Sequence, residues 1–208
     1  MVQILELFGG IGSPRCALRN IGIPVKSIDY VEIDEAAVRS YNAMFAKDLS
    51  YKTQTVVGYN LRPDILIHGS PCQDMSVAGH QGTATGNGRT NHGAGAEEGS
   101  GTRSSLMWET INIIKQMGEW KPKYVIWENV KNVRSKYMVH NHDRYMEELS
   151  KLGYTSTYEL LDAREFGIPQ ARERYFTVSC LKGKEFDFSD LIRTPMRNIH
   201  EFLEQKVD

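Results

Sequence analysis

Short apolar runs alternate with helical patterns along most of this chain, and no other feature constrains its fold as strongly. The apolar runs have the length of buried strands, whereas residues 106–117 carry apolar side chains at helical spacing. Such an alternation favours a mostly parallel sheet with helices on both faces, so we predict an α/β fold of this kind. Strands are predicted at Val2–Leu7 and at residues 25–32, 64–67, 124–127, 154–161 and 175–181. Helices are predicted at residues 13–22, 34–45, 106–117, 141–153 and 197–207, with Ser13, Asp34 and Asn141 as N-caps for three of them.

Polar and reactive residues follow four of the predicted strands. Ligands of parallel α/β sheets bind outside the carboxyl ends of the strands, so these residues are expected to gather at one edge. The groups concerned are Phe8-Gly9-Gly10, Glu32, Ser70-Pro71-Cys72 and Glu128-Asn129.

The composition is that of a globular protein, with 208 residues, 40% hydrophobic residues and a net charge of −1. This charge excludes a uniformly basic nucleic-acid coat, although a local basic face stays open. Cys16, Cys72 and Cys180 are too few and too scattered for a disulfide framework or a structural zinc site, so a reducing compartment is expected. No apolar run reaches membrane length, and the start lacks the basic region of a signal peptide. We therefore expect a cytoplasmic protein with no membrane partner.

The first motif is Phe8-Gly9-Gly10-Ile11-Gly12-Ser13, a glycine-rich turn between a strand and a helix. Glycines let a backbone approach a ligand closely, and an acid after the second strand, Glu32, is placed for ribose hydroxyls. The motif fits NAD, FAD or S-adenosylmethionine, although its spacing is not GxGxxG. The alternative is a tight turn without a ligand.

The second motif, Gly69-Ser70-Pro71-Cys72-Gln73, places a cysteine on a turn after a buried strand. A thiolate there is a candidate nucleophile, and an inert turn cysteine is the alternative. Cys16 and Cys180 lie in a predicted helix and strand and are interpreted as ordinary buried cysteines.

Two further motifs lie later in the chain. Trp127-Glu128-Asn129-Val130 offers an acid after a strand, either as a general acid or hydrogen-bond partner or as a helix N-cap. In Gln170-Ala171-Arg172-Glu173-Arg174, alternation places the two arginines on one face, where they suit an anion or a base carbonyl. The alternative is a solvated strand edge.

Taken in order, FGGIG, the acid after the second strand, PCQ, ENV and QxRxR resemble the DNA cytosine-5 methyltransferases. The resemblance runs from about Ile4 to Phe176 and includes GSPCQDMSVAG, KPKYVIWENVKNV and GIPQARERYF. It implies a Rossmann-like fold that binds S-adenosylmethionine, double-stranded DNA as substrate and transfer of a methyl group to C5 of cytosine.

The resemblance also implies roles for individual residues. Cys72 would attack C6 of a flipped-out cytosine, Glu128 would hydrogen-bond N3 and the exocyclic amine, and Asn129 would hold the loop. Arg172 would contact the base carbonyl, and Arg174 would orient Glu128 or contact a phosphate.

For the cofactor, Phe8 would stack on adenine, Glu32 would bind the ribose, and Ser70 and Pro71 would line the gap between cofactor and base. Asn60 stands where the family usually has an aspartate that contacts the adenine amine. The full set of implied cofactor residues is Phe8, Gly9, Gly10, Gly12, Ser13, Glu32, Ile33, Asn60, Ser70 and Pro71.

Glycine is concentrated after Cys72, since eight of the 18 glycines lie between Gly79 and Gly101. The family has a mobile catalytic loop here, and side chains on it would meet DNA on closure: Asn87, Arg89, Asn91, His92 and Arg103. Neither His80 nor His92 has metal-ligand spacing with a cysteine, so no metal is expected.

A local basic face is predicted beyond Glu128, where three bases would grip phosphates unless they are merely solvated: Lys131, Arg134 and Lys136. Residues 1–184 are interpreted as the catalytic domain, and residues 185–208 as a segment leading toward a target-recognition domain. We expect that domain, and the return segment that completes the cofactor pocket, to be absent from the chain and possible components of a second polypeptide.

The sequence is compatible with more than one function. The chain is either a methyltransferase or part of one, a catalytically inactive cofactor-binding remnant, or a tRNA cytosine-5 methyltransferase of the same fold. A Rossmann oxidoreductase is a more distant alternative, because it has no use for PCQ or QxRxR.

Overall fold

A computed structural model describes residues 2–45, 50–58, 61–71, 96–99 and 103–204 of the chain. Cys72, Asn60 and most of the glycine-rich stretch therefore lie outside the described residues. Within them the strands are β1 (Val2–Leu7), β2 (Val25–Val31), β3 (Ile65–His68), β4 (Tyr124–Val130), β5 (Tyr154–Asp162) and β6 (Glu173–Leu181). The α-helices are α1 (Ser13–Asn20), α2 (Glu35–Phe45), α3 (Met107–Gln116) and α4 (Val139–Lys151).

The six strands form one sheet in the order β2-β1-β3-β4-β6-β5. The pairings β1 with β2, β1 with β3, and β3 with β4 are parallel, whereas β6 is antiparallel to both of its neighbours. Five strands therefore run in one direction, which confirms the predicted mostly parallel sheet. In register, Leu7 lies beside His68 and His68 beside Trp127, so β1, β3 and β4 bring their carboxyl ends to one edge.

Helices pack on both faces of the sheet, because alternate residues of each strand point to opposite sides. Leu5 and Leu7 of β1 belong to the main core, which α3 and α4 complete with side chains such as Ile111 and Tyr145. Ile4 of β1 belongs to a second core on the other face. The buried members of that second core are Ile4, Tyr30, Val38 and Tyr41, with Leu18 of α1 packed against them.

The chain after β6 covers part of the sheet without forming an α-helix in its described part. Phe188 is buried with Val178 and Cys180 of β6 in a third small cluster. The helix predicted for residues 197–207 is wrong over residues 197–204, where a 3-10 helix spans only Ile199–Phe202. Asn198 caps that short helix through a capping box.

Some predicted element ends and caps also need correction. Gly12, in a left-handed conformation, and not Ser13, is the N-cap of α1. Asn141 is buried inside α4, which begins at Val139. β4 continues to Val130, so Glu128 and Asn129 lie within a strand and not after one. Cys180 is buried as expected, whereas Cys16 is only half-buried.

The described part of the chain contains no helix that is both long and apolar enough to cross a membrane.

Candidate functional site

The turn after β1 has an unusual backbone. Phe8, Gly10 and Gly12 all adopt positive φ, at 55°, 52° and 84°. A side chain at Gly9 would place its Cβ 2.6 Å from the Tyr30 ring, and one at Gly12 would meet the Tyr41 ring at the same distance. Gly10 has nothing within 4 Å of that position. Packing therefore excludes side chains at two glycines, while the third borders open space.

Glu32 joins this turn to the end of β2. Its Oε2 accepts a hydrogen bond from the Gly10 N–H at 3.0 Å, and its Oε1 accepts from the N–H groups of Ile33 and Asp34 at 2.7 and 2.9 Å. Ile33 is exposed beside it. An anchored carboxylate next to the open side of Gly10 fits the ribose and backbone contacts that S-adenosylmethionine requires, so Gly10 and Glu32 are suited to hold it.

A buried polar cluster that was not predicted from the sequence lies under the turn. Tyr41 donates a hydrogen bond to Oε2 of Glu6 at 3.0 Å, and Arg15 donates to the Tyr41 hydroxyl at 3.2 Å. Burial raises the pKa of Glu6 to about 7 despite these partners. The available signal was an acid inside an apolar strand, which rarely occurs without a partner.

Replacing Glu6 with glutamine is expected to change how stability depends on pH. The pKa of Glu6 is raised from 4.5 to about 7 in the folded chain. Folding therefore favours the protonated form of Glu6. Its contribution to the free energy of unfolding is fully present below pH 4.5 and is lost as the pH rises through about 7. Relative to Glu6→Gln, the free energy of unfolding of the wild-type chain should fall by about 3 kcal/mol across this pH range, as measured by urea unfolding. Glu35→Gln, an exposed control, should follow the wild-type pH dependence, and parallel curves for Glu6→Gln would contradict the assignment.

The turn after β3 brings Gly69, Ser70 and Pro71 to the same edge of the sheet. Ser70 is buried, and its Oγ accepts a hydrogen bond from the Trp127 indole at 3.1 Å. A Cβ added at Gly69 would lie 3.3 Å from Oε2 of Glu128. The turn that leads to Cys72 therefore packs directly against Glu128.

Glu128 carries two arginine neighbours. Arg174 Nε lies 3.0 Å from its Oε1, and Arg172 lies 3.8 Å from the same oxygen. The carboxylate is one-third exposed, so it is held in place while one side stays accessible. Both arginines also border an open cleft of about 370 Å³. The lining of this cleft is polar and includes Lys131, Asn132, Gln170, Arg172 and Arg174.

Asn129 is buried on β4 beside Glu128. Its Oδ1 accepts from the Val130 N–H at 2.7 Å, while its Nδ2 has no hydrogen-bond partner among the described residues. A buried amide N–H without an acceptor is costly. The Nδ2 of Asn129 is therefore suited to donate a hydrogen bond to a group on an adjacent segment.

The predicted basic face is largely neutralised. Lys131 pairs with Glu173 at 3.0 Å, and Arg134 pairs with Asp143. Lys136 lies over the ring of its neighbour Tyr137. Residues 131–136 therefore do not form a free phosphate-binding surface of three unpaired bases. Within the described ranges, no group of three or more His, Cys, Asp or Glu side chains is placed to hold a metal ion.

Comparison with known proteins shows the family and the fold of the chain. A family model described as C-5 cytosine-specific DNA methylase matches residues 2–207. The type II methyltransferase M2.ScrFI of Lactococcus lactis subsp. cremoris is 32% identical over 91% of this chain and 63% of its own length. The orphan methyltransferase M.Rho11sI of Bacillus phage rho11s is 33% identical over 85% of this chain and 32% of its own length. The chain thus spans from about a third to two thirds of these relatives.

Solved structures share the fold. The Dnmt2 methyltransferase of S. pombe and the methyltransferase EhMeth of Entamoeba histolytica each superimpose with a TM-score of 0.72, at 18% and 20% identity. Each alignment covers all of this chain and 61% of the other. With the family model matching nearly every residue, the chain belongs to the C-5 cytosine-specific DNA methylases.

Proposed function

We propose that this chain carries the catalytic part of a DNA cytosine-5 methyltransferase, with Cys72 as its nucleophile. The observation that best supports this is the position of Glu128, held by Arg174 and Arg172 against the turn that leads to Cys72. DNA is the proposed substrate because the matching family model is described for it.

In the proposed reaction the Cys72 thiolate forms a bond to C6 of a cytosine that has left the base stack. As the C6–S bond forms, the π electron pair of the C5–C6 bond moves to C5 and is shared with the rest of the ring, where Glu128 hydrogen-bonds N3 and the exocyclic amine and stabilises the developing charge. Arg172 contacts the base carbonyl, and Arg174 orients Glu128. When bound, S-adenosylmethionine would supply the methyl group to C5, with its S–CH3 bond breaking, and would leave as S-adenosylhomocysteine. A base then takes the C5 proton, and the electron pair restores the double bond and expels the Cys72 thiolate.

For the cofactor, Glu32 is proposed to bind the ribose, with Gly10 and Ile33 beside it and Phe8 against the adenine. Gly9, Gly12 and Ser13 shape the turn, while Ser70 and Pro71 separate cofactor from base. Asn60 is proposed to contact the adenine amine, although it lies outside the described residues. This assignment rests on the family and on the open side of Gly10.

Reading of the DNA sequence is proposed to need more than residues 1–184. Two of the three bases beyond Glu128 are paired with acids, since Lys131 contacts Glu173 and Arg134 contacts Asp143. Residues 185–208 are proposed to lead toward a recognition domain, in a longer chain or on a second polypeptide. The relatives come from a bacterium and a phage, which favours the cytoplasm of a bacterial cell.

The test is methyl transfer from tritiated S-adenosylmethionine by the full chain, with DNA and tRNA in separate arms. We expect label in DNA, recovered after digestion as 5-methylcytosine. Transfer to tRNA alone would replace DNA as the substrate. Cofactor binding without transfer to either nucleic acid would favour a catalytically inactive remnant.

A further inference from the structure

Trp127 is held rigidly behind the site. The residue is 1% exposed, and its indole stacks with two imidazole rings, with centroids 5.8 Å from His68 and 5.5 Å from His142. Tyr145 packs against it at 4.5 Å and also shares a 2.8 Å hydrogen bond with His68. Desolvation lowers the pKa of His68 to about 3, so this ring is neutral at physiological pH. The indole therefore has little rotational freedom.

The single polar atom of this ring points at Ser70. The indole N–H donates to the Ser70 Oγ at 3.1 Å, and Ser70 is itself only 4% exposed. A buried indole N–H requires an acceptor, so the contact fixes the orientation of the serine side chain.

The direction of this bond has a chemical consequence for Ser70. A hydroxyl has one proton to donate and two lone pairs to accept with. Since the indole occupies a lone pair, the Ser70 proton stays available for a second partner. The same turn lies against Glu128, whose strand β4 also carries Trp127.

We propose that Trp127 is a positioning residue that fixes Ser70 as a hydrogen-bond donor toward the cofactor and base. This inference rests on the proposed function, which places Ser70 between those two ligands. One buried ring on the strand of Glu128 thereby holds the turn before Cys72.

The test is a double-mutant cycle on the affinity for S-adenosylhomocysteine, measured by calorimetry with the full chain. Trp127→Phe keeps an aromatic ring but removes the donor, and Ser70→Ala removes the acceptor. Each is expected to weaken binding by about 3- to 10-fold, the value of one ordinary hydrogen bond. In the Ser70→Ala background, Trp127→Phe should weaken binding no further, because Trp127 acts only through Ser70.

A purely structural role predicts a different outcome. If Trp127 only fills the core, Trp127→Phe will weaken binding equally in the wild-type and Ser70→Ala backgrounds, and the two effects will add. Wild-type affinity in Trp127→Phe would also overturn the proposal. A wild-type chain that does not bind S-adenosylhomocysteine would instead remove the proposed cofactor function, and this inference with it.

Discussion

Replacing Cys72 with alanine is expected to abolish the covalent adduct with DNA that contains 5-fluorocytosine. In the proposed reaction the thiolate adds to C6 and leaves only after the C5 proton is removed. Fluorine at C5 cannot be removed as a proton, so the wild-type adduct should persist and run as a slower band on a denaturing gel. Methyl transfer to ordinary DNA should fall by at least about 10³-fold in the same variant.

Cys16→Ala is the matched control for this experiment. Cys16 lies half-buried in α1, and it has no assigned part in binding or chemistry. Its adduct yield should equal that of the wild-type chain. An adduct that survives in Cys72→Ala would exclude Cys72 as the nucleophile.

Replacing Glu128 with glutamine is expected to lower kcat by about 10²-fold, with a smaller change in the KM for DNA. The carboxylate lies 3.0 Å from Arg174 Nε, and it is one-third exposed toward the open edge. Glutamine nearly preserves its shape but removes the carboxyl group that stabilises the charge developing on the ring. Steady-state methyl transfer, with circular dichroism to verify folding, measures the effect.

Glu159→Gln controls for the loss of an acid from this sheet. Glu159 and Glu128 are both in register with Phe176, and Glu159 is 38% exposed and paired with Arg193 at 2.7 Å. It lies away from the proposed site, so its variant should transfer methyl groups within about 2-fold of wild type. Equal losses in both variants would show that kcat responds to sheet stability and not to the chemistry of Glu128.

Local sequence patterns predicted most element positions. β1 spans Val2–Leu7 as expected, and Asp34 accepts the Ala36 N–H at 2.9 Å at the start of α2. The errors lie at element ends that depend on contacts with distant segments of the chain. β4 continues through Val130 because it pairs with Arg174 of β6, and no local pattern contains that pairing.

The candidate site likewise has features that local sequence predicts and features that depend on distant segments. Its polar groups were identifiable from their position after predicted strands, since parallel topology carries strand ends to one edge. The glycines of the first turn were predicted to allow close approach of a ligand. At Gly9 and Gly12, however, packing against Tyr30 and Tyr41 already excludes a side chain. The basic face was overestimated, because the acid that neutralises Lys131 comes from β6.

The sequence by itself determined the family, the succession of strands and helices along the chain, and the residues proposed to carry the chemistry. Those properties follow from residue identity and local spacing. Only the tertiary structure decided which side chains meet, such as Arg174 with Glu128, Tyr41 with Glu6, and Trp127 with Ser70. Such contacts depend on strand order, register and burial, which are properties of the packed sheet and not of any short segment.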